Sequence, residues 1–105
     1  MLHAEPDGSF SVLGLVWRPG QGTRIHDHLT WCVVGVLAGV EREELFDSSL
    51  SAVGVRDGFP GEVSGFAPPG DIHRVRNCGG EVAISLHVYG TDITRVGSSV
   101  RRYYD

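Results

Sequence analysis

The chain has 105 residues and a formal net charge of −4 at pH 7. This length accommodates one domain, and we predict a single domain over residues 1–105. The negative charge argues against a nucleic acid or an acidic membrane surface as the main partner. No transmembrane stretch or secretory signal pattern stands out, so the cytoplasm is the expected location.

Short apolar segments separated by turns rich in glycine and proline follow one another along the chain. Asp57-Gly58 and Ala67-Pro68-Pro69-Gly70 are typical of such turns. No segment has a sustained helical period, and the spacing of the segments predicts an all-β sandwich or barrel. The predicted strands are Phe10–Trp17, Thr23–His28, Trp31–Leu37, Val40–Phe46, Leu50–Val55, Glu62–Phe66, Ile72–Val75 and Glu81–Tyr89.

The segment Val40–Phe46 alternates between two sets of side chains, one of which contains Glu41, Glu43 and Leu45. Its charged residues predict that one face of the strand contacts water. Because charges discourage pairing with another chain, we expect a protected edge strand here. A homodimer stays an open alternative, since the sequence does not identify an exposed edge.

Two histidines, His26 and His28, are separated by one residue. In a strand, residues i and i+2 point the same way, so both imidazoles face one side and Asp27 faces the other. The third candidate ligand, His73, follows the rigid Pro-Pro-Gly turn, which helps to fix its position. A lone His-x-His pair is more often structural than metal-binding, so the residues around the histidines decide between the two interpretations.

Those residues follow two spaced motifs. The first consists of Gly20, five residues, His26, one, His28, three, Cys32, six and Gly39, and the second of Pro68, one, Gly70, two, His73, three and Asn77. They resemble the two motifs of the cupin family, with Cys32 where that family usually has a glutamate. The resemblance implies an all-β double-stranded β-helix barrel in which the three histidines bind one metal ion.

The missing glutamate has a chemical consequence. Three neutral imidazoles leave a divalent ion with its full double charge, which favours an anionic substrate bound directly to the metal. A thiolate is a suitable soft anion, because a bound metal lowers the pKa of a thiol. Fe(II) is the expected ion, and zinc or nickel with water completing the shell is the alternative.

Ser85, His87 and Tyr89 alternate in the last long predicted strand and share one face. If that face points inward, the three side chains form a hydrogen-bonded relay, because buried polar groups need partners. Periodicity by itself slightly favours the opposite arrangement, in which the core is filled by Val82, Ile84, Leu86 and Val88.

The His-Asp-His sequence followed by Trp31, the segment Gly70–Val75 and the Ser-x-His-x-Tyr pattern together resemble the thiol dioxygenase branch of the cupins, over residues 10–102. That branch includes cysteine dioxygenase and 3-mercaptopropionate dioxygenase. The resemblance implies Fe(II) at the three histidines, and it implies that Ser85, His87 and Tyr89 are catalytic. It also implies a reaction that adds both atoms of O2 to the sulfur of a small thiol, giving a sulfinate.

The resemblance also bears on Cys32. Mammalian-type members have a cysteine there that is linked to the relay tyrosine, which implies a Cys32–Tyr89 thioether. The spacing from His28 is one residue shorter in this chain. A small buried hydrophobic residue is the alternative.

Members of the branch hold the substrate's carboxylate or amine with an arginine or glutamine from a region that would precede Met1. Either the chain is truncated or another arginine takes this role. We predict that Arg24 or Arg95 binds substrate, with Arg101 and Arg102 as alternatives, because arginine pairs bidentately with carboxylates.

Two other functions stay open. One is a different metal-dependent cupin enzyme, such as an isomerase or a dioxygenase acting on carbon, in which Tyr89→Phe leaves activity nearly unchanged. The other is a non-catalytic module that binds a small molecule without turnover.

Overall fold

The computed structural model describes residues 1–105, and nearly all of its regular structure is strand. The one helix, α1, has four residues, which is too short to produce a helical period in the sequence. No helix is long and apolar enough to cross a membrane. The elements are β1 (His3–Ala4), β2 (Ser11–Trp17), β3 (His26–His28), β4 (Cys32–Ala38), β5 (Glu41–Phe46), β6 (Ala52–Gly58), β7 (Val63–Phe66), β8 (His73–Arg76), β9 (Ala83–Tyr89), α1 (Ile93–Val96) and β10 (Val100–Tyr103).

The strands form two five-stranded sheets in which every pairing is antiparallel. Sheet one has the order β1-β2-β9-β4-β7, and sheet two has the order β10-β3-β8-β5-β6. Side chains from both sheets, such as Leu15 of β2 and Val75 of β8, line one interior cavity. The prediction of an all-β double-stranded β-helix barrel is therefore confirmed.

The central strand of sheet one, β9, decides which side chains line the barrel. Ser85, His87 and Tyr89 are buried, whereas Ile84 and Leu86 are only partly buried. The barrel interior thus receives the polar set, opposite to the arrangement that periodicity alone favoured. The polar set is stable there because its members bond to one another around a cavity, as described below.

The strand β5 lies inside sheet two, between β8 and β6, so the prediction of a protected edge strand is wrong. Glu41 is only 5% exposed, and the side chain of Glu43 is 19% exposed. The face that carries Glu41 and Glu43 therefore faces the barrel interior. On the other face, Arg42 pairs with Asp57 of β6 at 2.9 Å, which is a cross-strand ion pair.

The turn predicted at Asp57-Gly58 lies further along the chain. β6 continues through Gly58 because Asp57 stays in register with its partner on β5. The chain turns at residues 59–62, where Glu62 Oε1 accepts a hydrogen bond from the Phe59 backbone at 2.8 Å. Gly61 has a φ of +92° in this turn, which favours glycine.

Candidate metal centre and catalytic site

Three buried imidazoles meet inside the barrel. His26 and His28 lie on β3, and His73 begins β8 as the register partner of His26. The ring centroids are 4.7 Å apart for His26 and His28, and 4.9 Å apart for each of the other two pairs. Their ligand atoms lie within 4.8 Å of one another, so the structure brings the three predicted ligands together.

Each imidazole is fixed by a hydrogen bond from its Nδ1 atom. His26 Nδ1 donates to the Arg24 carbonyl at 2.7 Å. His28 Nδ1 donates to Asp71 Oδ2 at 2.8 Å, and His73 Nδ1 donates to Glu43 Oε2 at 2.6 Å. Because the acceptors hold the proton on Nδ1, each Nε2 keeps its lone pair. Three oriented nitrogen ligands of this kind fit a divalent transition metal.

Burial keeps two of the ligands neutral. It lowers the pKa of His26, and it lowers the pKa of His28 to about 4, with repulsion from His73 as the next cause. The hydrogen bond from His73 lowers the pKa of Glu43, so this carboxylate is ionised at pH 7. The site thus offers uncharged donors directly and negative charge one layer further out.

The carboxylates of Asp71 and Glu43, which lie behind the histidines, alter the charge balance expected from the sequence. Asp71 Oδ2 accepts a second hydrogen bond, from the His28 backbone at 3.0 Å, and the residue is 8% exposed. Asp71 and Glu43 together offset the charge of a divalent ion at one hydrogen bond's distance. An anionic substrate is therefore compatible with the site but is not needed for charge balance.

Sequence reasoning assigned no role to Asp71 or Glu43. A signal was present for each residue. Asp71 stands two residues before His73, and Glu43 shares a strand face with Leu45, which is the register partner of His73. Neither signal says which face is inside, so the pairing of β8 with β3 and with β5 was needed to interpret these two signals.

The relay residues are bonded to one another. Ser85 Oγ lies 2.8 Å from His87 Nε2, and Tyr89 Oη lies 3.3 Å from His87 Nδ1. Burial lowers the pKa of His87 to about 4 and raises that of Tyr89 to about 12. At pH 7 the imidazole is therefore neutral and the phenol keeps its proton.

Cys32 lies directly opposite Tyr89 in the register of β4 and β9. Both residues are buried, and they form one apolar cluster with Ile93. Burial raises the pKa of the Cys32 thiol to about 12. Directly opposed residues share a face of the sheet, which is compatible with the thioether implied by the resemblance and equally with a packed thiol. The cross-link itself stays a prediction.

Two spaces meet at the histidines. The interior cavity, of about 80 Å³, reaches from Tyr89 and the three ligands down to Trp17 and Glu41. A separate outer pocket shares Tyr89, His26 and His28 with it and continues to the residues around α1 and β10. His26, His28 and Tyr89 therefore line both spaces.

The predicted substrate-binding arginines differ in their placement. Arg24 lines the outer pocket, where it stacks on Tyr103 at 4.3 Å and its Nε lies 3.4 Å from Asp105 Oδ1. Arg95 lines neither space, because Asp92 at 3.2 Å and the Pro6 carbonyl at 3.3 Å hold its guanidinium elsewhere. The structure therefore does not bring Arg95 to the histidines.

The tail arginines also lie outside the cavity. Arg101 Nε donates to Asp27 Oδ2 at 3.0 Å, and Arg102 stacks on Tyr104 at 4.8 Å. The cation that does line the interior cavity is Arg56, which sequence reasoning did not single out. Its Nη2 lies 3.8 Å from Glu43 Oε1.

The two antiparallel sheets and the tethered histidines define a metal-binding protein of the cupin fold. The model of the family "Cysteine dioxygenase type I" matches residues 1–102. The chain belongs to this family. It is 32% identical over 97 residues to "Cysteine dioxygenase type 1" of Danio rerio, an alignment that covers 84% of this chain and 48% of the relative. The chain thus spans about half the length of that relative.

Solved structures share the fold at lower identity. A conserved protein with a double-stranded β-helix domain from Klebsiella pneumoniae has a TM-score of 0.67 and 21% identity, and the match covers 81% of this chain and 70% of that one. Oxalate oxidase has a TM-score of 0.67 and 20% identity, with 79% and 42% covered. Oxalate decarboxylase of Bacillus subtilis has a TM-score of 0.68 and 23% identity, with 81% and 22% covered. At these identities the likeness establishes the fold alone.

Proposed function

We propose that the chain is a non-haem Fe(II) thiol dioxygenase, which converts a small thiol of the cysteine or 3-mercaptopropionate type to its sulfinate. The balanced reaction is R–SH + O2 → R–SO2H, so both oxygen atoms go to sulfur. One observation carries the proposal: three tethered imidazoles share a cavity with a buried Ser–His–Tyr chain. Membership of the cysteine dioxygenase type I family supports it.

The ligand set supports the choice of metal. Neutral imidazoles suit iron, and three of them on one side leave further coordination positions for small molecules. A bound Fe(II), held by His26, His28 and His73, would supply Lewis acidity to the thiol and the redox chemistry for the reaction with O2. Asp71 and Glu43 would keep the imidazoles oriented toward it.

The remaining residues of the site position the reactants and exclude water. The ring centroid of Phe66 lies 4.4 Å from that of His28 and 4.9 Å from that of His73, so this ring shields the histidine cluster. Tyr89 keeps its hydroxyl proton at pH 7 and lines the cavity, so it can exchange a hydrogen bond with substrate or oxygen. Its position is fixed by His87, which is fixed in turn by Ser85.

The dimensions of the site support a small substrate. An interior cavity of about 80 Å³ has room for roughly five to eight water-sized groups, which suits a molecule as small as cysteine. Arg24 in the outer pocket and Arg56 in the interior cavity are the guanidinium groups next to the histidines. We also propose that Arg24 pairs with the substrate's carboxylate, which replaces Asp105 as the partner of the guanidinium group.

The test is anaerobic reconstitution with Fe(II), followed by metal analysis and O2 uptake with L-cysteine, 3-mercaptopropionate and cysteamine. We expect about one iron per chain and thiol-dependent O2 uptake with the sulfinate as product. His73→Ala should abolish both, whereas His3→Ala, at a surface histidine, should change neither.

Stoichiometric iron without O2 uptake from any thiol would overturn the proposal. We would then assign the chain to another metal-dependent cupin reaction. Ligand binding without any turnover would instead favour a non-catalytic binding module.

A further inference from the structure

Glu41 is a buried carboxyl group that the metal site does not use. It is 5% exposed and lines the interior cavity, and its Oε2 atom has no hydrogen-bond partner. A buried carboxyl group with an oxygen that lacks a hydrogen-bond partner lowers the free energy of unfolding. Such a group therefore needs an explanation. Its position at the Ser85 end of the relay supplies one.

The surroundings connect Glu41 to Ser85. Ser85 is fully buried and lies opposite Val36 in the register of β9 and β4, and Val36 lines the cavity beside Glu41. Burial raises the pKa of Glu41, and the nearby Ser85 side chain opposes that shift. The carboxyl therefore lies near the hydroxyl that bonds His87, and it still lacks a partner for Oε2.

Extending the proposed function, we propose that Glu41 is the fourth member of the chain Glu41–Ser85–His87–Tyr89. In this chain it sets the tautomer of His87, and thereby whether the Tyr89 hydroxyl donates or accepts a hydrogen bond in the cavity. Glu41 is thus a positioning residue, because it acts on the site through the other three.

The chain transmits the protonation state of Glu41 only when His87 carries a single proton. Its pKa of about 4 leaves the imidazole neutral above about pH 5, with one nitrogen as donor and the other as acceptor. When Glu41 is neutral, its O–H donates to Ser85, and Ser85 donates to His87 Nε2. The proton of His87 then sits on Nδ1 and is donated to Tyr89, so the Tyr89 O–H can donate to the cavity or to Ser99.

When Glu41 is ionised, every bond in the chain reverses. Ser85 donates to the carboxylate, and His87 donates to Ser85 from Nε2. His87 Nδ1 then accepts from Tyr89, so the tyrosine offers only oxygen lone pairs to the cavity. Only protons shift along these hydrogen bonds. The Tyr89 phenol changes from a hydrogen-bond donor to a hydrogen-bond acceptor toward the cavity.

Other charged groups act on Glu41 from the neighbouring strands. Within the cavity these groups are Glu43 on β5, which is ionised, and Arg56 on β6, which pairs with Glu43. Asp57, next to Gly58 on β6, is occupied by Arg42 on the outer face. The remaining titratable groups that line the cavity are His26, His28, His73, His87 and Tyr89. None of these charged groups forms a hydrogen bond with the Glu41 carboxyl. Ser85 is therefore the partner that we propose for the carboxyl proton.

The test reads the His87 tautomer directly, by ¹⁵N NMR of the metal-free protein with labelled histidine between pH 5 and pH 9. The His87 signals are identified by their loss in His87→Gln. At pH 9 we expect Nε2–H in the wild type and Nδ1–H in Glu41→Leu, where Ser85 has only His87 as acceptor. Glu41→Gln, which cannot ionise, should show a tautomer that does not change with pH. Glu44→Gln, on the outer face of the same strand, should behave as the wild type.

The same tautomer in the wild type and in Glu41→Leu at pH 9 would overturn the inference. Glu41→Gln decides the question if Glu41→Leu fails to fold. Because the measurement needs no iron and no turnover, its outcome is independent of the proposed function. Absence of O2 uptake with any thiol would remove the function and leave the tautomer result standing.

Discussion

Glu43 Oε2 accepts a hydrogen bond from His73 Nδ1 at 2.6 Å, across the adjacent strands β5 and β8. The bond holds the imidazole in the tautomer that keeps the lone pair on Nε2, and it adds negative charge behind the ligand. Partners of this kind typically contribute 10- to 100-fold to metal affinity.

Glu43→Gln should therefore weaken Fe(II) or Zn(II) binding by about 10- to 100-fold, because the amide is uncharged and holds the imidazole less firmly. Competition with a coloured chelator measures the change. Glu44→Gln is the matched control, since Glu44 pairs with Arg74 on the outer face. An unchanged Kd in Glu43→Gln would contradict the role given to this bond.

Asp71→Asn should cause a loss of similar size, because Asp71 holds both the ring and the backbone of His28. Asp27→Asn is the matched control. Asp27 lies between two ligands in sequence, but it points outward to Arg101, so its loss should leave the metal Kd unchanged. Equal effects from the two variants would mean that the loss reflects general destabilisation of β3.

Tyr89→Phe should lower kcat for thiol oxidation on the order of 10²-fold, in the range for loss of a positioned proton donor or acceptor. Iron binding should be unaffected, because the tyrosine is not a ligand. Tyr104→Phe is the control, since its hydroxyl bonds Asp27 outside the cavity. Full activity in Tyr89→Phe would favour one of the other cupin reactions.

Arg24→Ala should raise KM for cysteine and 3-mercaptopropionate by about tenfold or more, which is the effect of losing one charge-assisted contact of about 1.5 kcal/mol. KM for cysteamine, which has no carboxylate, should change little. Arg95→Ala should leave all three values unchanged, because that side chain is held by Asp92 and Pro6. An unchanged KM for cysteine would leave Arg56 as the candidate to anchor the carboxylate.

The buried His87 should make the metal-free protein acid-sensitive. Its pKa of about 4 in the folded state lies below 6.5, the usual value in an unfolded chain, so the unfolded state binds more protons between these values. The free energy of unfolding should fall as pH drops from about 6.5 to 4, by up to about 3 kcal/mol from this group. Urea unfolding at several pH values should show that His87→Gln removes this part of the slope. An identical slope in the variant would contradict the pKa shift.

Part of this site could be predicted from strand parity and motif spacing. His26 and His28 on one face, and Ser85, His87 and Tyr89 on another, follow from a period of two residues. Parity cannot say which face is inside, however, and in the relay strand the hydrophobic periodicity slightly favoured the wrong face. The motifs supplied that information for the histidines, because their spacing is tied to a barrel.

The acidic residues were beyond the reach of the sequence for a physical reason. Glu41 and Glu43 occupy alternate positions in a strongly charged strand, and charged residues are mostly exposed. Only the placement of β5 between β6 and β8 turns these side chains inward, toward the histidines of other strands. That pairing depends on contacts between residues about 30 positions apart, such as Glu43 and His73.

The acceptors that hold the three ligands are of two chemical kinds. Two are carboxylates, which a single substitution can remove, but His26 is held by the backbone carbonyl of Arg24. That oxygen is present whatever side chain stands at position 24, so the orientation of His26 is insensitive to mutation there. Substitutions at Asp71 and Glu43 can therefore change the metal affinity in steps. His26 keeps its orientation throughout, so one ligand remains aligned for binding.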